Sequence, residues 1–303
     1  MIRIIANPAA GRGRARRLFP AAHAAFALLG ATDLRETRVA GDEARLVRDA
    51  VDDGCRIIVA LGGDGTSSKV AAAIVASRAD CTLVPLAGGT GNDFAKSLGV
   101  PASDPSAVAR LVAMGGTRHV DVGYIDDRCF VNAAGFGFDA AVLEAAAGRT
   151  WPRGDALYLA CSLEQLVGYR GIDIGLGTAA MRRYLLLVIA NGSRFGGRFR
   201  IAPDADVADG ALDIIGIADA SPLRRALLLG AAMRGAHVRM DEVSAAREQQ
   251  TVLRFGEAPI YEADGDLCRA AGPEVVVRCV PGALRVVTSG SSAVPGPLTR
   301  SAP

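Results

Sequence analysis

The chain has 303 residues, of which 50% are hydrophobic and 22% are charged, and its formal net charge is +2. This composition excludes an intrinsically disordered chain, and the length favours two domains over one. The nearly balanced charge gives no indication of a nucleic-acid partner. Lys69 and Lys96 are the only lysines, and neither follows a Walker-type glycine loop, so a P-loop nucleoside triphosphatase is excluded.

The N-terminal part of the chain alternates between apolar runs and helical patterns. Strands are predicted at 2–6, 37–40, 56–61 and 82–86, and helices at 14–29, 41–54, 67–78 and 104–114. The run at 56–61 is continuous and rich in β-branched residues, as expected of a parallel strand that is covered on both faces. The alternation predicts a parallel α/β domain.

Beyond about residue 118 the pattern changes to short strands separated by turns. Strands are predicted at 119–124, 128–133, 183–190, 211–217, 251–255, 273–279 and 283–288, and helices at 140–148, 155–169 and 221–239. This pattern is typical of a mostly antiparallel β-sandwich with inserted helices. We therefore expect an α/β domain at 1–121, a β-rich domain at 122–288 and a disordered Ser/Gly/Pro-rich tail at 289–303.

The cysteines and the apolar runs bear on the compartment. The six cysteines are widely separated and form no CxxC pair, so we expect buried free thiols and neither a disulfide framework nor a zinc site. The longest apolar run, at 184–190, is far shorter than the ~20 residues that span a bilayer. We expect a cytoplasmic protein and leave attachment to a membrane surface open.

The segment LGGDGTSSK lies where a buried strand is predicted to end and a helix to begin. Gly62, Gly63 and Gly65 would let backbone N–H groups approach an anion, and the helix N-terminus adds positive potential. Asp64 is an acid in this position, which suits a metal ion or a hydrogen-bond network. The alternative is a tight turn in which Thr66 caps the helix.

A second loop, PLAGGTGNDFAKSLG, follows the next predicted strand. It contains permissive glycines, two polar residues and a second acid: Gly88, Gly89, Gly91, Thr90, Asn92 and Asp93. Because consecutive parallel strands end at one edge of a sheet, both loops would open on the same side. Asn7 and Gly11 form a third such loop. The arginines that follow could face phosphates or anionic lipid headgroups, or simply form a solvated helix face: Arg12, Arg14, Arg16 and Arg17.

The motifs NPxxG, GGDGT, GTGNDFA, VDVG and RIAPDADVADGALD, in this order, resemble the diacylglycerol kinase catalytic superfamily, which includes bacterial lipid kinases and the sphingosine and ceramide kinases. The resemblance covers 2–288. GGDGT alone is shared with NAD kinases and phosphofructokinases, whereas GTGNDFA and PDADVADGALD together are more specific. The resemblance implies an ATP-binding α/β domain, a lipid-binding β-rich domain and an active site in the cleft between them.

The resemblance also implies roles for individual residues. The nucleotide site would comprise Asn7, Gly62, Gly63, Asp64, Gly65, Thr66, Thr90 and Asn92. Asp64, Asp93 and Asp121 match three acids that, in similar enzymes, form a network around the phosphates and their Mg²⁺. Asp209 matches an Asp-Gly pair at a metal site and is the candidate Mg²⁺ ligand, the alternative being an acidic turn. The chain departs from the family pattern by Ala208 before Asp209, by an added Asp206 and by a GTGND loop two residues longer.

The segment 261–266 resembles the family's Asp-Gly-Glu motif, with Asp266 in place of Glu. In similar enzymes the first Asp of this motif activates the acceptor hydroxyl, so Asp264 is the candidate general base. The spacing alone predicts a β-turn.

An aromatic and apolar helical stretch rimmed with arginine resembles the part of such enzymes that borders the acyl-chain opening, and suits a peripheral membrane contact. Its residues are Trp151, Leu157, Tyr158, Leu159, Leu163 and Leu166, with Arg149, Arg153 and Arg170. Core packing is the alternative.

The prediction is a Mg²⁺- and ATP-dependent lipid kinase, with diacylglycerol the first candidate among several lipids. One alternative is an NAD kinase-like enzyme, in which Asn92 and Asp93 would recognise a dinucleotide. The other is a non-catalytic nucleotide- or lipid-binding regulator. Loss of the candidate site acids would indicate such a regulator, but this sequence contains all five: Asp64, Asp93, Asp121, Asp209 and Asp264. The acceptor lipid and the oligomeric state, a homodimer included, stay open at this point.

Overall fold

A computed structural model describes residues 1–30, 33–89, 91–147, 149 and 155–289. The N-terminal elements are β1 (Ile2–Ala6), α1 (Ala10–Ala27), β2 (Asp33–Glu36), α2 (Asp42–Asp52), β3 (Ile57–Gly62), α3 (Asp64–Ser77), β4 (Thr82–Ala87), α4 (Asp93–Ser97) and α5 (Pro105–Ala113). Strands β2, β1, β3 and β4 lie side by side in this order and are all parallel. The parallel α/β prediction is therefore confirmed.

Strand β3 shows why this sheet forms. Its residues from Ile58 to Gly62 are buried, because helices cover both faces of the sheet. The carboxyl ends of β1, β3 and β4 meet at one edge, where the three predicted loops begin. Strand β2 lies at 33–36 and not at 37–40 as predicted. It is a polar edge strand, so it lacks the apolar run on which the prediction relied.

The C-terminal elements are β5 (Thr117–Ile125), β6 (Arg128–Phe130), β7 (Ala133–Gly137), α6 (Phe138–Ala147), α7 (Asp155–Gly168), β8 (Ile172–Leu176), β9 (Arg182–Ala190), β10 (Leu212–Ala218), α8 (Pro222–Ala232), a 3-10 turn (Ala236–Arg239), β11 (Val243–Glu248), β12 (Gln250–Arg254), β13 (Ile260–Ala263), β14 (Asp266–Arg269) and β15 (Glu274–Val287). Pairings among these strands are antiparallel, as predicted. The predicted helix at 221–239 is interrupted at Gly235, whose φ is +74°. Strands β8, β11, β13 and β14 were not predicted, because they are short and several are exposed. The strand predicted at 128–133 covers β6 but only the first residue of β7.

Strand β9 separates two apolar cores in this half. Leu187 and Ile189 point into a core between two sheet layers, whereas Leu186 and Val188 point toward helices α6, α7 and α8. In the first core the ring of Phe136 stacks on two further aromatic rings with centroid distances of 5.2 Å. The run at 184–190 is therefore continuous in sequence because both faces of the strand are buried.

Strand β15 connects the two halves of the molecule. It pairs antiparallel with β12 and β5, and its last residues pair in parallel with β4. The sequence predicted separate strands at 273–279 and 283–288, but the structure contains one strand with an irregularity between Val280 and Leu284. Gly282, with φ +60°, lies in this bulge.

Asp121 holds the bulge in place. One carboxylate oxygen accepts the N–H of Gly282 at 2.7 Å, and the other accepts the N–H of Gly210 at 2.6 Å. The side chain of Asn191 donates to the Asp121 carbonyl oxygen at 2.9 Å. Asp121 is buried, so the carboxylate supplies the partners that these two backbone N–H groups would otherwise lack.

We expect Asp121→Ala to destabilise the fold by about 2–5 kcal/mol, because two N–H groups then lose their acceptor. Urea unfolding measures the change. Asp206→Ala is the matched control, since Asp206 is 59% exposed and pairs with Arg118 on the surface. Equal losses in the two variants would contradict the structural role of Asp121.

Candidate active site

Three glycine-containing loops meet at the carboxyl edge of β1, β3 and β4. A Cβ atom at Gly11 would lie 2.1 Å from the carbonyl oxygen of Gly88, and one at Gly89 would lie 2.5 Å from the Cα of Gly63. The N–H of Gly88 donates to the carbonyl of Gly62 at 2.7 Å. The loops therefore pack backbone against backbone, and a side chain at Gly11 or Gly89 would force them apart.

Polar side chains hold the ends of these loops. The Asn7 amide donates to the Thr66 hydroxyl at 3.2 Å. The Asn92 side chain accepts the N–H of Gly89 at 3.2 Å and donates to its carbonyl at 3.0 Å. The structure thus brings Asn7 and Thr66 together, and Thr90 lies outside the described residues.

Two acids lie at this edge. Asp64 is the first residue of α3, and its carboxylate accepts the N–H of Phe94 at 3.3 Å. Burial, followed by the negative charges of Asp93 and Asp264, raises the pKa of Asp64 to about 6. Two carboxylates from other segments of the chain, one of them in the β-rich half, therefore act on Asp64.

Asp93 is buried beside the loop at 195–199, for which the sequence predicted no chemical role. One carboxylate oxygen of Asp93 accepts the N–H of Gly197 at 2.7 Å. The other oxygen has no hydrogen-bond partner among the described residues, and the Lys96 ammonium lies 3.6 Å from it. Lys96 also donates to the carbonyl of Gly197 at 2.7 Å, so this loop is part of the site.

Asp264 lies in the two-residue turn between β13 and β14. The φ angles of Asp264 and Gly265 are +48° and +90°, as in the tight turns that Asp-Gly pairs favour. The backbone is therefore the β-turn that the spacing predicted. The carboxylate of Asp264 points inward and is buried.

Four donors surround the Asp264 carboxylate. It accepts the N–H groups of Val131, Asn132 and Ala133 at 2.7, 2.9 and 3.1 Å, and the hydroxyl of Ser68 also bonds to it. Burial raises the pKa of Asp264, and these hydrogen bonds act in the opposite direction. Because Ser68 lies on α3, the carboxylate links the two halves of the molecule.

The residues at Asp64 and Asp93 fit a Mg²⁺ ion that is bound together with phosphates. Two carboxylates repel each other there, and one Asp93 oxygen has no hydrogen-bond partner among the described residues. Mg²⁺ usually takes one or two carboxylates and completes its shell with water and phosphate oxygens. The described residues contain no cluster of three or more His, Cys, Asp or Glu that could hold a metal by itself.

Asp209 does not fit a metal ligand in this conformation. Its carboxylate forms an ion pair with the Arg247 guanidinium at 3.2 Å, and the same guanidinium contacts Asp213 at 3.1 Å. A cation at Asp209 would have to displace Arg247. Asp121 is engaged at the β15 bulge, and none of its hydrogen bonds reaches Asp64 or Asp93.

Asp139 and Glu262 form a buried acid pair that the sequence did not reveal. Gly135 is directly opposite Glu262 in the β7–β13 pairing, and a Cβ atom at Gly135 would lie 1.8 Å from an Asp139 carboxylate oxygen. Asp139 therefore occupies the space beside Glu262. Both Asp139 oxygens and one Glu262 oxygen have no hydrogen-bond partner in the described part of the chain.

Burial raises the pKa of Asp139 to about 7 and, together with the charge of Asp139, raises the pKa of Glu262. The second Glu262 oxygen accepts the N–H of Gly265 in the Asp264 turn. Asp139 lies at the start of α6 and Glu262 on β13, so no local sequence motif links them. Only the β7–β13 register, which places Gly135 opposite Glu262, could have revealed the pair.

The surface groups predicted to face lipid are partly described. Leu163 and Val167 on α7 are 57% and 69% exposed, whereas Leu157 and Leu166 pack against the core beneath α7. Arg149 is paired with Glu164 at 2.8 Å.

Other residues predicted at this surface lie outside what the structure describes: Trp151, Arg153 and the side chains of Tyr158 and Leu159. The four arginines predicted to face phosphates or lipid headgroups lie within α1 and are exposed: Arg12, Arg14, Arg16 and Arg17. Within the described ranges, no helix combines the length and apolar character that crossing a bilayer requires.

Comparison with known proteins defines the class to which this fold and site belong. Residues 1–125 match the family described as diacylglycerol kinase catalytic domain, and residues 132–288 match the YegS C-terminal NAD kinase beta sandwich-like domain. A crystal structure of a diacylglycerol kinase from Bacillus anthracis shares the fold, with a TM-score of 0.71 at 19% identity, covering 95% of this chain and 96% of that one. The predicted two-domain fold class is confirmed.

The relatives make the assignment more specific. A diacylglycerol kinase of Mycobacterium tuberculosis is 32% identical over 296 residues, covering 93% of each chain. A probable YegS-like lipid kinase of Pseudomonas putida is 37% identical over 188 residues, covering 60% of this chain and 62% of that one. The chain belongs to the diacylglycerol kinase family and is a lipid kinase, which confirms the predicted enzyme class over the regulator alternative.

The electrostatic link between Asp64 and Asp93 is testable by titration. Because the charge of Asp93 disfavours ionised Asp64, Asp93→Asn should lower the pKa of Asp64 from about 6 by roughly one unit. Carbon NMR of ¹³C-labelled aspartate in the nucleotide-free protein measures it. Asp206→Asn should leave the Asp64 midpoint in place, and an unchanged midpoint in Asp93→Asn would contradict the proximity.

The acid pair predicts a pH-dependent stability. The folded state keeps a proton on Asp139 up to pH about 7, whereas the unfolded chain releases it near 3.8, so stability falls as pH rises between these values. Asp139→Asn removes this penalty, because an amide can donate to Glu262. It should stabilise the fold by on the order of 2 kcal/mol at pH 8 and have little effect at pH 4, as measured by urea unfolding. A lower stability of Asp139→Asn than of the wild type at pH 8 would contradict the proposed proton on Asp139.

Proposed function

We propose that this lipid kinase transfers the γ-phosphoryl group of Mg²⁺-bound ATP to the hydroxyl of diacylglycerol. The observation that carries the proposal is the convergence of Asp64 and Asp93, at the glycine-loop edge, with Asp264 from the β-rich half. Phosphoryl transfer needs this arrangement, since the nucleotide phosphates and the acceptor must meet between the groups that hold each of them. The names of relatives in Mycobacterium tuberculosis and Bacillus subtilis, both diacylglycerol kinase, support this acceptor.

The nucleotide phosphates would bind at the three loops. Gly63 and Gly65 expose backbone N–H groups at the N-terminus of α3, which adds positive potential. Thr66, held by Asn7, lies in the first turn of the same helix. Asp64 and Asp93 would hold the Mg²⁺, which when bound neutralises charge on the transferring phosphoryl group.

Asp264 would take the proton of the acceptor hydroxyl. Its buried carboxylate has a raised pKa, which makes it a stronger base than an exposed aspartate. Three of its four donors are backbone N–H groups that hold it in orientation. The fourth is the Ser68 hydroxyl, the donor that an acceptor hydroxyl can replace.

Asp64 is the second candidate for proton transfer. Its pKa of about 6 is near the optimum for a base at neutral pH. It has fewer donors than Asp264, namely the backbone N–H groups of Phe94, at 3.3 Å, and of Asn92. Its place beside the glycine loops favours a role in nucleotide and Mg²⁺ binding over a role as base. Loss of a binding residue raises KM for ATP, whereas loss of the base lowers kcat.

The exposed Leu163 and Val167 on α7 support contact with a membrane surface. Apolar side chains on an exposed helix can enter the boundary between headgroups and acyl chains. The acceptor would then reach the cleft without leaving the bilayer entirely.

The test is transfer of label from γ-labelled ATP with Mg²⁺ to diacylglycerol, monoacylglycerol, ceramide, sphingosine and phosphatidylglycerol in mixed micelles, and to NAD⁺. We expect label in diacylglycerol. Asp264→Asn should lower kcat by roughly 10²–10⁴-fold with KM for ATP unchanged, because the proton acceptor is lost. The Asn carbonyl can still accept the N–H groups of Asn132 and Ala133, whereas the N–H of Val131 loses its acceptor, so urea unfolding of the variant checks that the fold is retained.

Asp64→Asn distinguishes the two candidate bases, and Asp206→Asn is the matched surface control. If Asp64 binds Mg²⁺ and nucleotide, its variant should raise KM for ATP. If Asp64→Asn instead abolishes the acidic limb of kcat while Asp264→Asn retains it, Asp64 is the base. Label in another lipid would identify that lipid, and not diacylglycerol, as the acceptor. Label only in NAD⁺ would overturn the proposal.

A further inference from the structure

Lys69, Asp266 and Arg128 form an ion triad between the two halves of the molecule. The Lys69 ammonium lies 3.0 Å from one carboxylate oxygen of Asp266 and 3.3 Å from the other. The Arg128 guanidinium donates to Asp266 at 2.7 Å. Asp266 therefore bridges two cations, and both of its oxygens are engaged by them.

The three residues come from elements that lead directly to the candidate site. Lys69 lies on α3, five positions after Asp64. Asp266 begins β14, two positions after Asp264. Arg128 begins β6, the strand that runs into the three N–H groups around the Asp264 carboxylate. The ion triad thus joins the helix of the nucleotide loop to both chain segments that hold Asp264.

Further contacts between α3 and the Asp264 turn lie beside the ion triad. The Ser68 hydroxyl bonds to the Asp264 carboxylate. A Cβ atom at Gly65 would lie 3.5 Å from an Asp266 oxygen and 3.8 Å from the carbonyl of Asp264. One face of the first turns of α3 therefore rests against the turn at 264–266.

The exposure of the ion triad argues against a role in global stability. The side chains of Lys69, Asp266 and Arg128 are 34%, 32% and 36% exposed. Ion pairs with this much access to water are screened and contribute little to folding. Placement of a reacting group is far more sensitive, since a shift of about 1 Å can cost roughly 10²-fold in rate.

We propose that Lys69 and Arg128 are positioning residues that act through Asp266 to lock the Asp264 turn against the helix that carries Asp64. The expected effect on kcat rests on the proposed function, whereas the anchoring of the Asp264 turn rests on the geometry alone. The ion triad sets the separation between the acceptor side and the nucleotide side of the cleft. Neither lysine nor arginine needs to touch a substrate for this role.

The first test is independent of activity. Amide hydrogen exchange at 264–266 should accelerate in Lys69→Met and in Asp266→Asn, because the turn loses its anchor to α3. Arg45→Met is the matched control, since Arg45 forms a surface ion pair with Asp49 on α2, 3.1 Å away. It should leave exchange in the turn unchanged. Unaltered exchange in Lys69→Met would overturn the proposal whether or not the chain phosphorylates diacylglycerol.

The second test uses turnover by the active wild-type enzyme. Lys69→Met should lower kcat by roughly 10-fold to 100-fold, with KM for ATP and the melting temperature little changed. Lys69→Arg should restore most of kcat, because a guanidinium can reach the same carboxylate. Lys69→Met combined with Asp266→Asn should be no slower than Asp266→Asn alone, since Asp266→Asn already removes the ion pair with Lys69.

Ionic strength gives a third readout. Added salt should lower the wild-type kcat toward that of Lys69→Met and leave the variant nearly unaffected. A wild-type kcat in Lys69→Met, or a Lys69→Arg variant as slow as Lys69→Met, would overturn the positioning role. If the wild-type protein transfers no phosphoryl group, the proposed function is refuted. The hydrogen-exchange experiment then tests by itself whether the ion triad anchors the Asp264 turn to α3.

Discussion

The repulsion between carboxylates in a partly dry cleft is the constraint on which the rest of this site depends. Burial, followed by the negative charges of Asp93 and Asp264, raises the pKa of Asp64 to about 6. Such charges separate unless hydrogen bonds, cations or protons compensate them. Backbone donors compensate Asp264, and the Lys96 ammonium lies 3.6 Å from Asp93. Lys69, the other lysine of the sequence, pairs with Asp266 beside the Asp264 turn.

The degree of compensation divides the acids into two groups. The oxygens of Asp121 accept backbone N–H groups and Asp209 is paired with Arg247, so both have structural partners in this conformation. Asp93 and the Asp139–Glu262 pair instead contain buried oxygens without a hydrogen-bond partner among the described residues. Buried polar atoms that lack partners are costly, and proteins retain them mainly where a ligand or a proton completes the site.

Strand β15 explains why acids from both halves can be held so close. It pairs with β12 and β5 of the β-rich half and with β4 of the parallel sheet, so the two halves share one hydrogen-bonded framework. The bulge at Gly282 lets a single strand serve both layers, and Asp121 holds it. The Ser68 contact and the ion triad join the two halves a second time, in the N-terminal half of α3.

The sequence by itself determined the parallel sheet, the glycine loops and the family, because apolar periodicity and backbone-permissive residues are local properties. It also indicated Asp64, Asp93 and Asp264 as site candidates through the motifs around them. Only the tertiary structure decided which acids meet. Asp139 and Glu262 become neighbours through the register of β7 and β13. Asp266 meets Lys69 through the packing of α3 and Arg128 through the position of β6, and Arg247 reaches Asp209 from β11. Such contacts join residues far apart in sequence, so no local pattern could encode them.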